Sequence, residues 1–338
     1  MQNAHFLARL ITAALVGLSC ATLAFAQGDL PKVQRLAASD NNAANASDQQ
    51  PASVLVYNYY NSDAVDSGRT DTLFNLTNTN PRAAAFVHVF FVGDDCLIAD
   101  SFICMTANQT ASFTASDVDP GVKGYMIAVA TDGEIGCPIN FNYLIGSEAV
   151  KWADGRTASF AAEGFKALYN GRLPGCNERS SIAELEFDGK RYSAAPRKLA
   201  VDKLGSLADG NSALLIVNSL NGNVITGAGM NIGGIEGLLF DDAENGSAFR
   251  RDDLKCQLSD KLTDAFPATA PLFSAKVPAG RTGWLNLMAR DDRGITGAVV
   301  NFNPNAATTR GQFNSSHNLH HLSYTSAKLT IPVFPPTC

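Results

Sequence analysis

The chain has 338 residues, of which 26 are Lys or Arg and 32 are Asp or Glu, so its formal net charge is −6 at pH 7. This acidic balance excludes nucleic-acid binding through a positive surface, and it disfavours docking on anionic lipid. Hydrophobic residues make up 46% of the chain, enough for a packed core, and the length accommodates two domains of ordinary size.

The N-terminus has the order of segments typical of a secretory signal peptide. Arg9 supplies a positive charge, residues 10–23 are almost entirely apolar or small, and Ala24 and Ala26 are small residues placed before Gln27. The apolar run is shorter than the ~20 residues that a membrane-spanning helix needs. We therefore predict a signal peptide over residues 1–26, no membrane span after its removal, and a secreted, periplasmic or cell-surface location. An uncleaved N-terminal anchor is the alternative.

Residues 27–52 are polar and contain few bulky side chains, which predicts a flexible leader. Short β-branched and aromatic runs follow, separated by Asn, Asp, Gly and Pro about every ten residues, and this texture favours a β-sandwich or barrel. The runs in the first half are 53–60, 72–77, 85–92, 110–114, 124–130 and 139–144.

One segment has a different pattern. Ala161, Phe165 and Leu168 recur at helical spacing within residues 157–169, and Asn170-Gly171 supplies a stop signal. This pattern predicts a single amphipathic helix between two β domains.

The second half of the chain resembles the first in five short blocks that follow in the same order. Two pairs of blocks are the clearest. Thr110–Phe113 resembles Thr282–Leu285, and residues 119–124 resemble residues 292–297. Each of the second pair reads Asp-x-Gly before an apolar strand, the pattern of a tight turn. Residues 222–234 and 243–265 are the expected insertions in the second copy, and inserted loops commonly carry function.

These features resemble the immunoglobulin-like and fibronectin-like modules of extracellular proteins. The texture of residues 78–80 and 107–110 also resembles that of exported bacterial proteins of uncharacterised function. The resemblance implies an all-β protein with two tandem antiparallel β-sandwich domains, over residues 53–178 and 179–338, joined by the helix. It further implies adhesion, carbohydrate binding or spacing, because modules of this kind serve those roles.

Six cysteines remain after the signal peptide, and an even number in an exported chain predicts disulfides. Six cysteines allow fifteen pairings, and free structural thiols are the alternative. Proximity along the chain favours Cys96–Cys104, Cys137–Cys176 and Cys256–Cys338. None of the cysteines has the CxxC spacing of a redox or zinc site.

Three histidines near the C-terminus form the main cluster of possible metal ligands. On a helix, His317, His320 and His321 would converge and could hold zinc or copper. The neighbouring apolar residues favour an extended segment, in which His320 would point away from the other two. We therefore predict an ordinary polar strand or loop and assign no metal and no cofactor.

The remaining site candidates are acidic or aromatic. Asp241 and Asp242, like Asp94 and Asp95, offer oxygen ligands for calcium or a carboxylate pair for a hydrolase, although turn residues of this type are commonly only solvated. Exposed aromatic residues can stack on sugar rings or form an interface, and the candidates are Tyr57, Tyr59 and Trp152.

The sequence contains neither a G-x-S-x-G nor an H-E-x-x-H motif, and we assign no catalytic residue. We therefore predict an exported, non-catalytic interaction or structural protein with an extracellular or envelope partner, a carbohydrate or a protein. The alternatives are a cell-surface hydrolase that uses Asp241, Asp242 or the pair at 291–292, and a calcium-stabilised surface protein.

Overall fold

The computed structural model describes residues 45–307 and 314–337. The predicted signal peptide, residues 1–26, and positions 27–44 of the predicted leader lie outside these residues. Among the described residues no helix has the length and apolar character needed to cross a membrane.

The described chain is almost entirely β-structure. Its strands, in chain order, are β1 (Val54–Asn61), β2 (Asp71–Asn78), β3 (Ala85–Gly93), β4 (Ile98–Met105), β5 (Thr110–Thr114), β6 (Lys123–Thr131), β7 (Leu144–Lys151), β8 (Thr157–Ala161), β9 (Glu163–Phe165), β10 (Ile182–Phe187), β11 (Ala195–Gly205), β12 (Ser212–Ser219), β13 (Gly222–Asn223), β14 (Gly233–Asp241), β15 (Gly246–Leu254), β16 (Gln257–Lys261), β17 (Thr282–Ala289), β18 (Ile295–Phe302), β19 (Ser315–Asn318), β20 (His320–Thr325) and β21 (Ala327–Pro332). The described helices are short: α1 (Ala115–Val118), α2 (Phe273–Lys276) and a 3-10 turn at Leu207–Asp209.

The strands form five small sheets, which we label I to V. Their strand orders are β4-β3-β6-β1-β9 in sheet I, β5-β2-β7-β8 in sheet II, β10-β21-β13 in sheet III, β16-β12-β18-β19 in sheet IV and β15-β14-β17-β11-β20 in sheet V. These sheets are arranged as a five-bladed β-propeller. The all-β class is therefore as predicted, but the predicted two tandem Ig-like sandwiches are wrong.

The core lies between the sheets, and strand β1 shows how the sequence fills it. All eight residues of β1 are buried because both faces of sheet I are covered. Val54 and Val56 pack with side chains of sheet III, whereas Leu55 and Tyr57 pack with side chains of sheet II. Successive side chains of a strand point to opposite faces, so a run without polar alternation fits a sheet buried on both sides.

Sheets II, IV and V continue the same packing. Leu214 and Ile216 of β12 meet Val150 and Phe160 of sheet II. The alternate residues of β12, such as Leu215, enter the core between sheets IV and V. Both faces of β12 are therefore apolar for the same reason as those of β1.

The predicted helix at 157–169 is wrong. Thr157–Ala161 forms β8, which pairs with β7, and Glu163–Phe165 forms β9, which pairs with β1. Ala158 and Phe160 are buried on one face of β8 with the period of a strand. Backbone pairing with two sheets outweighed a helical spacing that rests on only three residues.

The end of the predicted flexible leader is ordered in the structure. The backbone N–H groups of Ser47 and Ala52 donate to the carbonyl oxygens of Gly164 (3.1 Å) and Leu144 (2.9 Å). Residues 45–52 therefore lie against the body of the protein, and this segment forms one wall of the cavity described below.

The disulfides differ from the proximity-based prediction. Cys137 is bonded to Cys176, as predicted, but Cys96 is bonded to Cys256. The predicted pairs Cys96–Cys104 and Cys256–Cys338 are therefore wrong, and Cys104 is itself disulfide-bonded. Because Cys96 and Cys256 are 160 positions apart, their proximity arises from sheet packing and not from local sequence.

Two of the sequence blocks matched as an internal repeat are not structurally equivalent. Thr110–Phe113 lies in β5, at the edge of four-stranded sheet II, whereas Thr282–Leu285 lies in β17, inside five-stranded sheet V. Trp284 is only partly buried there and stacks on Phe240, with ring centroids 4.3 Å apart.

Candidate functional site

A cavity of about 690 Å³ opens beside strand β20. Residues 45–50 form one wall, and Asp202, residues 317–321 and Tyr324 form the rest. The lining contains two carboxylates, Asp48 and Asp202, together with three imidazoles and several amides, and none of these described residues is Lys or Arg. A cavity with this lining favours a cationic or neutral polar ligand over an anion.

The histidines reach the cavity because the chain changes sheets between them. Strand β19 ends at Asn318 in sheet IV, and β20 begins at His320 in sheet V. Leu319, the single residue between them, is buried in the core of sheets IV and V, and its N–H donates to the Gly297 carbonyl oxygen (2.9 Å).

This crossover places two imidazoles on the same side. In one continuous strand, residues three apart point to opposite faces. The change of sheet at Leu319 interrupts that alternation, so the rings of His317 and His320 lie together with centroids 5.7 Å apart. The expectation that His320 points away from His317 is therefore wrong.

Asp202 completes the cluster from a neighbouring strand. The pairing of β11 with β17 is irregular between Val201 and Leu204, so Asp202 lies on a bulge. Its Oδ1 lies 3.2 Å from His317 Nε2, and its Oδ2 lies 3.5 Å from His320 Nε2. Ligand atoms of Asp202, His317 and His320 lie within 4.8 Å of one another.

The cluster is open to solvent on one side. The side chains of Asp202 and His320 are 57% and 54% exposed, whereas His317 is 31% exposed. Burial lowers the pKa of His317 below its ordinary value, against an opposing effect of Asp202.

His321 faces the interior and does not join the cluster. Its Nε2 lies 3.1 Å from Glu163 Oε2. Burial lowers the pKa of His321, but Glu163, a hydrogen bond with the Ala46 backbone and Asp48 together raise that pKa above its ordinary value. The three histidines of the sequence cluster are thus divided between two different environments.

A buried polar network lies behind His321. Asn58 Nδ2 donates to Glu163 Oε1 (3.0 Å) and to Asn318 Oδ1 (2.9 Å). Asn218 Nδ2 donates to Asn58 Oδ1 (3.0 Å), and Gln257 Nε2 donates to Asn218 Oδ1 (2.8 Å). These bonds join side chains of sheets I and IV in the interior, which indicates a structural role.

The described residues best suited to hold a metal ion are Asp202, His317 and His320. Imidazole nitrogen combined with carboxylate oxygen is a donor set that suits zinc, copper and nickel. Asp48, the other carboxylate of the cavity, already accepts hydrogen bonds from Gln49 Nε2 and Asn318 Nδ2, both at 3.1 Å.

The aromatic residues proposed from the sequence do not face the cavity. Tyr57 is fully buried, and its hydroxyl donates to the Asn75 carbonyl oxygen (3.0 Å). Tyr59 is also buried and stacks on Trp152, with ring centroids 5.6 Å apart. The ligand-facing roles expected for Tyr57 and Tyr59 are therefore wrong. Trp152 is half-buried, with the Arg156 guanidinium over its ring.

The acidic residues proposed from the sequence stabilise a turn or form ion pairs. Asp241 Oδ1 accepts from the backbone N–H groups of Ala243 (3.0 Å) and Asn245 (2.9 Å), and Asp242 pairs with Arg281. Hydrogen bonds with Asn245 lower the pKa of Asp241, and those with Arg281 lower the pKa of Asp242. Asp292, of the other pair, is bound to Arg197. A hydrolytic acid needs a raised pKa, so Asp241 and Asp242, whose pKa values are lowered, do not have the environment of such an acid.

The calcium candidates near residue 94 are similarly occupied. Asp94 pairs with Lys123 (3.0 Å), and Asp95 Oδ1 accepts from the Leu97 backbone N–H (3.0 Å). A cation-binding loop would turn these oxygens inward together, so this loop does not favour calcium.

Sequence reasoning located two of the three cluster residues but missed Asp202. The spacing of His317 and His320 is visible in the chain, whereas Asp202 is more than a hundred positions away. One local signal was available: Asp202-Lys203 interrupts an otherwise apolar strand between Leu199 and Leu204, as a bulge does.

We also compared the chain with known proteins. No protein-family model, no curated protein and no solved structure matches this chain.

Proposed function

We propose that this chain is an exported, non-catalytic binding protein that holds a small cationic ligand in the cavity beside β20. The observation that carries the proposal is the convergence of Asp202, His317 and His320 on an open cavity whose described lining contains no Lys or Arg. A concave site with a few convergent polar groups is the usual form of a ligand pocket.

Export is supported by two independent features. Residues 1–26 have the composition of a secretory signal, and the described chain contains the disulfides Cys96–Cys256 and Cys137–Cys176. Structural disulfides persist in oxidising compartments and are rare in the cytosol. Mass spectrometry of the protein recovered outside the cytoplasm should find an N-terminus at Gln27, and recovery of intact Met1 from cytosol would contradict export.

Ligand binding in the cavity can be tested by thermal stability. A ligand that binds only the folded state raises the unfolding midpoint. We expect members of a panel of organic amines, screened in excess EDTA, or of a panel of divalent metal ions, screened without EDTA, to raise the midpoint of the wild-type chain.

The variant Gln49→Trp places a bulky ring at the exposed rim of the cavity and should abolish the shift. Glu178→Trp, at an exposed turn position outside the cavity lining, is the matched control and should keep it. A complete absence of stabilising compounds in both panels, or shifts that survive Gln49→Trp, would contradict the proposed function.

A further inference from the structure

We infer that Asp202, His317 and His320 together bind a divalent transition-metal ion, represented by Zn²⁺. This inference rests on the proposed function, because it names the chemical class of the ligand that the cavity holds. The ion would occupy the space between Asp202 and the two imidazoles, on the side of the cluster that is open to the cavity.

Two distances between donor atoms are close to those of a tetrahedral metal site. Zinc binds histidine nitrogen at about 2.0–2.1 Å and carboxylate oxygen at about 2.0–2.2 Å, so neighbouring ligand atoms in a tetrahedral site lie about 3.3–3.5 Å apart. Asp202 Oδ1 lies 3.2 Å from His317 Nε2, and Asp202 Oδ2 lies 3.5 Å from His320 Nε2. All three residues have ligand atoms within 4.8 Å of one another, so the exposed side chains of Asp202 and His320 would have to move closer to the ion to complete the geometry.

The hydrogen bonding of His317 leaves its nitrogen available to a metal. The Nε2 atom is buried and has no hydrogen-bond partner of normal geometry among the described residues, although Asp202 Oδ1 lies 3.2 Å away. Buried polar atoms normally have partners, so an exception calls for an explanation. A metal ion between these residues would supply such a partner.

The strands fix the positions of all three side chains. His320 of β20 is paired directly with Ala200 of β11, two residues before Asp202. His317 of β19 is paired with Val299 of β18. Ligands mounted on paired strands lose little conformational freedom when they bind an ion, which favours affinity.

The donor set also separates the candidate metals. Calcium and magnesium prefer oxygen ligands only, whereas two imidazoles and one carboxylate suit zinc, copper, nickel or ferrous iron. Three protein ligands leave a further coordination position toward the cavity, where a water molecule or a second ligand would bind. The geometry thus describes an exchangeable site and not a closed structural one.

Isothermal titration calorimetry with ZnCl₂ tests the inference on the full chain, purified without a histidine tag and freed of metal with EDTA that is then removed. We expect one Zn²⁺ per chain. Asp202→Asn and His320→Gln should each weaken binding at least about tenfold, because even residues that only orient a metal ligand contribute about 10–100-fold to affinity. Both side chains are more than half exposed, so the variants should fold normally.

Glu178→Gln is the matched control, because it removes one exposed carboxylate charge outside the cluster and should leave the affinity unchanged. Co²⁺ gives a second readout, since the visible absorption of its bound form reports coordination by nitrogen and oxygen and should be lost in the same two variants.

Three results would overturn the inference: no Zn²⁺ binding, Zn²⁺ binding of equal strength in wild type and both site variants, or equal weakening in Glu178→Gln. The proposed function fails separately. If organic amines stabilise the chain in EDTA through the cavity while Zn²⁺ does not bind, the cavity is a ligand site and only the metal assignment is wrong.

Discussion

Sheet I in the first half of the chain and sheet V in the second are built in the same order. In each, the strands counted along the chain lie in the order third, second, fourth, first, fifth, so β1 corresponds to β11 and β9 corresponds to β20. Sheets II and IV share the order second, first, third, fourth, so β8 corresponds to β19. Positions in the two halves can therefore be compared residue by residue.

The comparison shows that the residues of the cavity cluster are topologically equivalent to residues of the first half, two of which belong to the buried network. Val56 pairs with Glu163 as Ala200 pairs with His320, and both β1 and β11 have an irregular register immediately afterwards. Asp202 therefore corresponds to Asn58, and His320 corresponds to Glu163. His317 corresponds to Phe160, because β8 and β19 pair with equivalent residues of β7 and β18.

The two equivalent positions differ in what covers them. Asn58 and Glu163 are fully buried, because Asn218, Gln257, Asn318 and His321 of the second half contact them directly or through one another. Among the described residues, no such layer covers Asp202 and His320. The same backbone position is thus a structural network where another sheet closes over it and an open polar cavity where none does.

The largest expected effect comes from removing a disulfide that joins the two halves. Cys96–Cys256 joins them, whereas Cys137–Cys176 lies within the first half. Replacing both cysteines of the first bond with Ser should lower the free energy of unfolding by about 4–5 kcal/mol, and of the second by about 3–4 kcal/mol, because the longer loop loses more chain entropy. Denaturant titration measures both changes. If removal of Cys96–Cys256 lowered the free energy of unfolding by less than removal of Cys137–Cys176, this account would be contradicted.

The next effect contrasts Asn58 with its counterpart. Asn58→Ala should lower the free energy of unfolding by about 2–4 kcal/mol, because it removes bonds to Glu163, Asn318 and Asn218 and leaves buried polar groups without partners. Urea denaturation followed by tryptophan fluorescence provides the measurement. A loss below about 0.5 kcal/mol would show that the network is solvated and that the two positions do not differ as described.

A pH-dependent effect is expected at Glu148, which lies beside this network. Burial, with a further contribution from Glu163, raises the pKa of Glu148 well above its ordinary value of 4.5. The folded state therefore binds more protons than the unfolded chain at pH values above 4.5, so this residue lowers stability as the pH rises through that range.

The variant Glu148→Gln keeps the acceptor for the Tyr59 backbone N–H and removes the titration. At pH 8 it should be more stable than wild type by at least about 1.4 kcal/mol, the free energy that corresponds to one pKa unit, because Gln has no proton to lose on unfolding or charge to bury, and the difference should shrink toward pH 4. Thermal unfolding across pH gives the comparison. Parallel pH profiles for the two proteins would rule out a protonated, buried Glu148.

The smallest effect is expected at the open position. Asp202→Ala should change the free energy of unfolding by less than about 0.5 kcal/mol, because its side chain is more than half exposed and contacts with exposed groups contribute little to stability. The same urea titration applies. A loss comparable to that of Asn58→Ala would mean that Asp202 is a structural residue and that the cavity is not an open site.

The sequence was most informative about individual strands. The runs 53–60, 72–77 and 85–92 correspond closely to β1, β2 and β3, because apolar and β-branched residues form strands locally. The run at 139–144 was an error: β7 begins only at Leu144, and Ile139 makes an isolated bridge with Arg172. Apolar residues between two turn signals can therefore also fill the core without forming a paired β-strand.

Sheet assembly could not be predicted, because it depends on contacts between distant residues. Cys256 lies nearer in sequence to Cys338 than to Cys96, yet packing brings it to Cys96. The site followed the same rule. The spacing of His317 and His320 was visible, but their convergence depends on Leu319 leaving one sheet for another, and Asp202 approaches them through a bulge on a third strand.

The single-residue crossover at Leu319 has a mechanical consequence. Asn318, between the two cavity histidines, donates through one amide nitrogen to the Ala161 carbonyl oxygen (2.7 Å) and to Asp48 (3.1 Å), and its amide oxygen accepts from Asn58. A shift of either imidazole would therefore act, through the hydrogen bonds of Asn318, on both the first half and the segment at 45–50. Because Asn318 and the segment at 45–50 also line the cavity, occupancy there would act directly on the contact between the two halves.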